Sequence, residues 1–276
     1  MEINRKEIKL APSLMGMDYP EAIIAPLGDL QYGAMGADLD KFKRHVDWCM
    51  EHNAYFIGMG DMVDVASPSG RMKIVNAGFY ESIIGALEDH AEQAMNVVLD
   101  VLKGTEERWL GMHRGHHYWD FGTDIDRNHQ TTDTLMAAAL NTPYLDWSAL
   151  TLLTFDSSGQ ECQIHSTHGS GSSVTMSGPL LKLEKRSITF PEVDIFLEGH
   201  CARKAGYPKD ALVTRNGQLY SKRRIFALTG GFAKGYLVGK TTYVEDALMT
   251  PLNLGAPLIF VRPVDAEGRL DLNLSL

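Results

Sequence analysis

The chain has 276 residues, 44% of them hydrophobic and 22% charged, with a formal net charge of −9. This composition is that of a globular protein with ample material for a core, and it excludes a disordered or fibrous chain. The acidic balance argues against an extended nucleic-acid surface, which needs excess Lys and Arg, but leaves room for a metal site that neutralises phosphate locally.

Residues 1–21 carry charges and a proline but no continuous apolar stretch, so they read as an N-terminal extension and not as a signal peptide. "AIIAPL" (Ala22 to Leu27) has the apolar run of a buried strand. Leu39 to Met50 places Leu39, Phe42, Val46 and Cys49 or Met50 on one face at helical spacing. "AYFIGMG" (Ala54 to Gly60) predicts a second strand. Tyr80 to Gly104 predicts a long helix with Ile83, Leu87, Ala91, Ala94, Val98 and Val101 inward, closed by Gly104. "ERWLGMHR" (Glu107 to Arg114) is a third strand, and Thr131 to Pro143 is a helix opened by a threonine cap and stopped by proline.

Strands then dominate. "LTLLTFD" and "ECQIHSTH" flank the turn residues "SSGQ" as a hairpin, followed by "VDIFLEG" and "RRIFALTGG". "APLIFVRPV" and "RLDLNLSL" close the chain around the turn "DAEG" (Asp265 to Gly268). The basic clusters at Lys182 to Arg186 and Ser221 to Arg224 read as solvated surface. A β-α-β-α-β first half and a mostly β second half, with no repeat or linker, predict one α/β domain over 1–276. Its mixed sheets pack together with helices outside. No apolar run is long enough to span a membrane, and three cysteines without a CxxC pair point to a reducing, cytoplasmic setting.

Five apolar runs end alike. They lead into "GDLQ", "GDMVD", "GHH", "HG" and "GH", and so deliver Asp29, Asp61, His116 with His117, His168 and His200 to strand carboxyl ends. Ligands bind at that edge of α/β sheets, and Asp with His is the donor mixture a divalent transition metal requires.

In order and spacing these motifs resemble the calcineurin-like metallophosphoesterase family, whose pattern is Asp-x-His, Gly-Asp-x-x-Asp, Gly-Asn-His-Asp/Glu, a lone His, and Gly-His-x-His. The counterparts here are "GDLQ", "GDMVD", "GHHY", "STHG" and "GHCA". The tail segments "LTGGF", "TTYVED" and "PLNLGAPLIFV" resemble those of phage and bacterial members. The resemblance implies a four-layer α-β-β-α sandwich of two mixed β-sheets with flanking helices. It also implies phosphoester hydrolysis by water activated on one or two divalent ions, Mn²⁺ first, with Fe or Zn as alternatives. Phosphodiesters and phosphomonoesters both fall within that reading, as do nuclease and nucleotide phosphodiesterase activities.

The third motif can begin at Gly111 or at Gly115. The first register puts the thioether of Met112 at a ligand position, where it suits a Mn, Fe or Zn site poorly. The second puts His116 there and leaves the strand unbroken. In that register the resemblance makes His116 a ligand together with Asp29, Gln31, Asp61, His168 and His200, and makes His117 the general acid oriented by Asp64. His113 is then a strand or supporting residue. Alternation places His165 on the face opposite His168. Arg114 reads as solvated, with a phosphate contact as the alternative, and Cys201 as a residue turned toward the core, with a thiolate ligand as the alternative.

The chain departs from the family pattern at two positions. Gln31 and Ala202 stand where the family has histidines, both at one metal position. The other position keeps a full set in Asp61, His116, His168 and His200. The loss leaves a rival reading, a catalytically retired member that serves as a binding or interaction protein.

Overall fold

The computed structural model describes residues 1–14, 16, 20–121, 130–156, 159–171, 173, 175–215, 217–246, 248, 250–264 and 269–276. The strands are β1 (Glu2–Ile8), β2 (Ala22–Leu27), β3 (Tyr55–Gly58), β4 (Trp109–His113), β5 (Tyr144–Asp146), β6 (Ser148–Phe155), β7 (Glu161–Thr167), β8 (Ile195–Glu198), β9 (Lys204–Arg215), β10 (Gln218–Thr229), β11 (Leu258–Pro263) and β12 (Leu270–Ser275). The helices are α1 (Leu39–Glu51), α2 (Pro68–Asn76), α3 (Glu81–Leu102), α4 (Thr132–Ala139), α5 (Ser177–Thr189) and the short α6 (Tyr243–Asp246).

The strands form two mixed six-stranded sheets, ordered β1-β6-β7-β8-β10-β9 and β12-β11-β2-β3-β4-β5. Three apolar clusters define the layers. The first lies between the sheets and joins Ile24, Ile57, Leu110 and Val261 of one to Leu153, Ile164, Leu197 and Ile225 of the other. The second packs Phe42 and Val46 of α1, Val98 of α3 and Met136 of α4 on the outer face of the second sheet. The third packs Leu183 of α5 on Phe196 and Phe226 of the first sheet. The result is an α/β sandwich of two sheets with helices outside, as predicted.

Residues 2–8 of the N-terminal stretch lie parallel to β6 as an edge strand, from Glu2 opposite Ala149 to Ile8 opposite Phe155. The expected hairpin is present, with β6 and β7 antiparallel from Ser148–Thr167 to Thr154–Glu161. Part of its turn (157–158) and the turn expected at 265–268 lie outside the described residues. Thr131 caps α4 by accepting from the Thr134 N–H, and Thr134 reciprocates.

The expected inner face of α3 holds only in part. Ala91, Ala94, Met95, Val98 and Leu102 are buried, but Ile83 is 42% exposed. At 1.5 Å per residue a 22-residue helix is about 33 Å long, whereas a four-residue strand such as β3 covers only about 13 Å. The first turns of α3 therefore overshoot the sheet.

Candidate metal centre

Five strands from both sheets end at one place. β2, β3 and β4 run parallel and side by side in the second sheet, and β7 and β8 run parallel in the first. The loops after them are laced by backbone bonds: Asp29 N–H to Gly60 O (3.0 Å), Gln31 N–H to Asp61 O (2.9 Å) and Gly199 N–H to Thr167 O (3.2 Å). Asp29, Gln31, Asp61, His200 and Ala202 all adopt left-handed backbone, with φ between 48° and 67°. Non-glycine residues rarely do so, and such conformations persist where surrounding bonds over-determine them.

This arrangement brings together one ligand atom each from Asp61, His116, His168 and His200, all within 4.8 Å of one another. The His116 and His200 Nδ1 atoms are 3.2 Å apart. His168 Nε2 lies 3.3 Å from Asp61 Oδ2. His168 Nδ1 is held 2.6 Å from the Met59 carbonyl, which fixes that nitrogen as the donor and turns Nε2 to the cluster. Asp61 Oδ1 accepts from the His116 and His117 N–H groups at 2.5 and 2.9 Å, so its other oxygen also faces the cluster. Asp61 Oδ2, His168 Nε2 and Asp29 Oδ1 are buried without a hydrogen-bond partner. An unpaired buried polar atom costs about 1–3 kcal/mol, and a cation at the cluster would satisfy Asp61 Oδ2 and His168 Nε2 together. The four residues could hold a metal ion, and three imidazoles with one carboxylate suit Mn, Fe or Zn.

The charged groups of the site set one another's protonation. Burial and the neighbouring His168 and His200 lower His116 to about 4, so it is neutral at neutral pH. Burial also lowers His200. Burial opposes ionisation of Asp61, but His168 and His117 outweigh it and hold the carboxyl well below the ordinary range. Burial likewise opposes the His168 imidazolium, but Asp61 and Asp29 push it up to about 9. His168 must give up that proton to act as a ligand.

Beside the cluster, His117 Nδ1 lies 2.7 Å from Asp64 Oδ1. Burial works against the His117 imidazolium, but Asp64 and Asp61 overcome it and raise its pKa. Tight backbone contact makes this geometry possible. A Cβ on Gly115 would stand 2.2 Å from both Asp61 N and Oδ1, and one on Gly60 (φ 86°) would stand 2.7 Å from Gly115 Cα.

Asp29 lies beside the four without joining them. Its Oδ2 accepts from the His200 N–H at 3.0 Å, and burial pushes its pKa up to about 7. Gln31 is half-buried, held through its backbone to Asp61 O. Ala202 lies against Gly231, and a Cβ there would stand 3.2 Å from that of Ala202 and 2.9 Å from that of Asp29. Met112 is buried in the core against the helices. Cys201 packs beside the α5 cluster, where burial pushes its thiol up to about 11. His165 packs with its ring tilted against those of Phe190 and Phe196. Arg114 is only partly solvated: its guanidinium lies 4.4 Å from the Tyr118 ring centroid and 4.9 Å from that of Trp147.

Three residues at the site escaped the sequence reading. Asp133, buried on α4, accepts from the Gly115 N–H at 2.9 Å. Arg71 of α2 donates through Nη1 to the carbonyls of Ala66, His116 and Tyr118 at 2.7–2.8 Å and so clamps the loop after β4. Trp147, 41% exposed, has its ring centroid 5.2 Å from that of His116. A carboxylate just inside a capped helix was the only local signal, and it marks an N-terminus more often than a site.

His113 bridges the two sheets, with Nε2 2.7 Å from Ser166 Oγ and Nδ1 3.0 Å from the Asp146 carbonyl. It is fully buried, and burial lowers its pKa to about 4. A depressed histidine pKa means that the unfolded chain takes up the proton first as pH falls. The stability His113 contributes is therefore complete above the unfolded value near 6.5 and lost as pH drops toward 4. We expect this residue alone to cost about 2 kcal/mol between pH 7 and pH 5. Denaturant midpoints at the two pH values measure it, and His113→Gln should flatten that part of the slope.

A cleft of 520 Å³ opens beside His200, lined by Ser170, Ser173, Lys182, Glu198 and Cys201 among others. Lys182 Nζ is tied to Ser170 O and Glu198 Oε1 at 2.8 and 3.0 Å. No protein-family model matches the chain, and no curated protein matches it in sequence. Among the described residues no helix is long and apolar enough to cross a membrane.

Proposed function

We propose that the protein is a metal-dependent phosphoester hydrolase of the calcineurin-like metallophosphoesterase type. The observation that carries this reading is the placement of the His117–Asp64 pair directly beside the cluster of Asp61, His116, His168 and His200. Those four residues would hold the principal ion, Mn²⁺ by preference. Asp29 with Gln31 offers a second, weaker position. When bound, a divalent ion supplies charge for the phosphoryl oxygens and a water of lowered pKa.

The chain's own groups do the rest. Asp64 accepts from His117 Nδ1, which fixes the tautomer and leaves Nε2 to carry a proton toward the leaving oxygen. Against the effect of burial, the carboxylates of Asp64 and Asp61 raise the pKa of His117, which favours the protonated form an acid needs. Asp61 holds the loop of His116 and His117 through its Oδ1. Asp133 and Arg71 secure the same loop from the side of the helices.

The reading is tested on bis(p-nitrophenyl) phosphate and p-nitrophenyl phosphate, with and without added Mn²⁺, with His200→Ala as control. We expect Mn²⁺-dependent hydrolysis that the variant loses together with bound metal. A fully loaded wild-type protein that cleaves neither ester would favour the retired, binding role.

A further inference from the structure

A row of planar groups leads up to the cluster. Arg71 Cζ lies 3.9 Å from the Tyr118 ring centroid, and Arg114 Cζ lies 4.4 Å from the same centroid. Arg114 in turn lies 4.9 Å from the centroid of Trp147, whose ring is 5.2 Å from that of His116. Tyr118 is 9% exposed, whereas Trp147, the end of the row nearest the cluster, is 41% exposed.

The corner that carries Trp147 is braced. Asp146, at φ 50°, accepts at its carbonyl from the Arg114 N–H at 2.9 Å and is also bonded by His113. The Trp147 carbonyl accepts from Thr167 Oγ1 at 2.7 Å. Among the described residues Trp147 belongs to none of the buried apolar clusters. An exposed, braced aromatic ring with an arginine against it matches the stacking platforms that bind nucleobases. The arginine, paired with the half-exposed Asp146 only at 4.0 Å, also places a cationic group beside the ring in a chain of net charge −9.

We infer that Trp147, supported by Arg114, stacks a nucleobase of the substrate beside the metal cluster, and that the substrate is a nucleoside-bearing phosphodiester. The inference rests on the phosphoesterase reading and narrows it. The cleft beside His200 lies at the same cluster, so the two substituents of a diester have separate places, the base on Trp147 and the other group in the cleft.

Two measurements test it. With Mg²⁺ present, adenosine 5′-monophosphate should change the intrinsic fluorescence and ribose 5-phosphate should not. Trp109 and Trp119 are buried and Trp48 is stacked on His52, so the change should disappear in Trp147→Phe. With Mn²⁺ present, the kcat/KM of thymidine 5′-(p-nitrophenyl phosphate) should exceed that of methyl p-nitrophenyl phosphate. That ratio should fall about tenfold in Trp147→Ala and be largely retained in Trp147→Phe. A purely structural Trp147 would lower both rates in parallel and leave the ratio untouched.

An equal response to the two sugar phosphates, or no response to either, overturns the platform. So does a ratio that Trp147→Ala leaves unchanged, while the phosphoesterase reading stands. If wild type hydrolyses neither ester, that reading fails, and the fluorescence comparison still decides whether Trp147 receives a base.

Discussion

On the proposed phosphoesterase reading, we expect Asp61→Asn to empty the candidate metal site and to lower kcat/KM by roughly a thousandfold, about 4 kcal/mol of transition-state stabilisation. Both Asp61 oxygens are committed. Oδ1 receives the backbone N–H groups of His116 and His117, and Oδ2 faces His168 Nε2 at 3.3 Å. An asparagine carbonyl can keep the first set of bonds, and asparagine tolerates the left-handed backbone at φ 52°. The fold therefore survives. The amide, however, brings an N–H to the His168 nitrogen and removes the buried negative charge that makes the cluster attractive to a cation. Elemental analysis after dialysis, set beside the rate, measures both effects. A variant with wild-type metal content would remove Asp61 from the ligand set.

His117→Ala separates chemistry from metal binding. We expect turnover to fall by roughly a hundredfold or more, with metal content unchanged, because His117 stands beside the four-residue cluster and not in it. The loss should depend on the leaving group. An acid is needed most where the departing oxygen is a strong base, so an alkyl ester should suffer far more than a p-nitrophenyl ester. Asp64→Asn should move the rate in the same direction by less, since it removes the negative charge 2.7 Å from His117 Nδ1 and leaves both an accepting oxygen and the imidazole in place. Equal losses on both esters would sink the acid role of His117.

The ligand cluster was legible in the chain because each member follows an apolar run directly. "AYFIGMGD" predicts a strand and an Asp at its end without any knowledge of neighbours, and "VDIFLEGH" does the same for His200. The choice of Gly115 over Gly111 as the start of the third motif was likewise local, a matter of strand continuity and sulfur chemistry. It agrees with the placement of Met112 in the core and of His116 in the cluster. Helix α5 was not predicted, because its buried face amounts to Leu183 with partly covered neighbours and its basic stretch reads as solvated surface.

By itself, then, the sequence determined the strand endings and the Asp and His residues that follow them, which depend on backbone periodicity and on spacings of a few residues. The pairing of His117 with Asp64, 53 positions apart, was implied only by the resemblance to the metallophosphoesterase pattern. Only the tertiary structure decided that both sheets bring their carboxyl ends to one point. It alone placed the Asp133 carboxylate under Gly115, turned Arg71 across three carbonyls and set Trp147 beside His116. Apart from the Arg71–Ala66 bond, five positions long, these contacts join residues 18 to 47 positions apart, and no local pattern encodes them. They arise when helices and sheets close over a shared core, and the side chains left at the rim meet partners that the chain order never placed together.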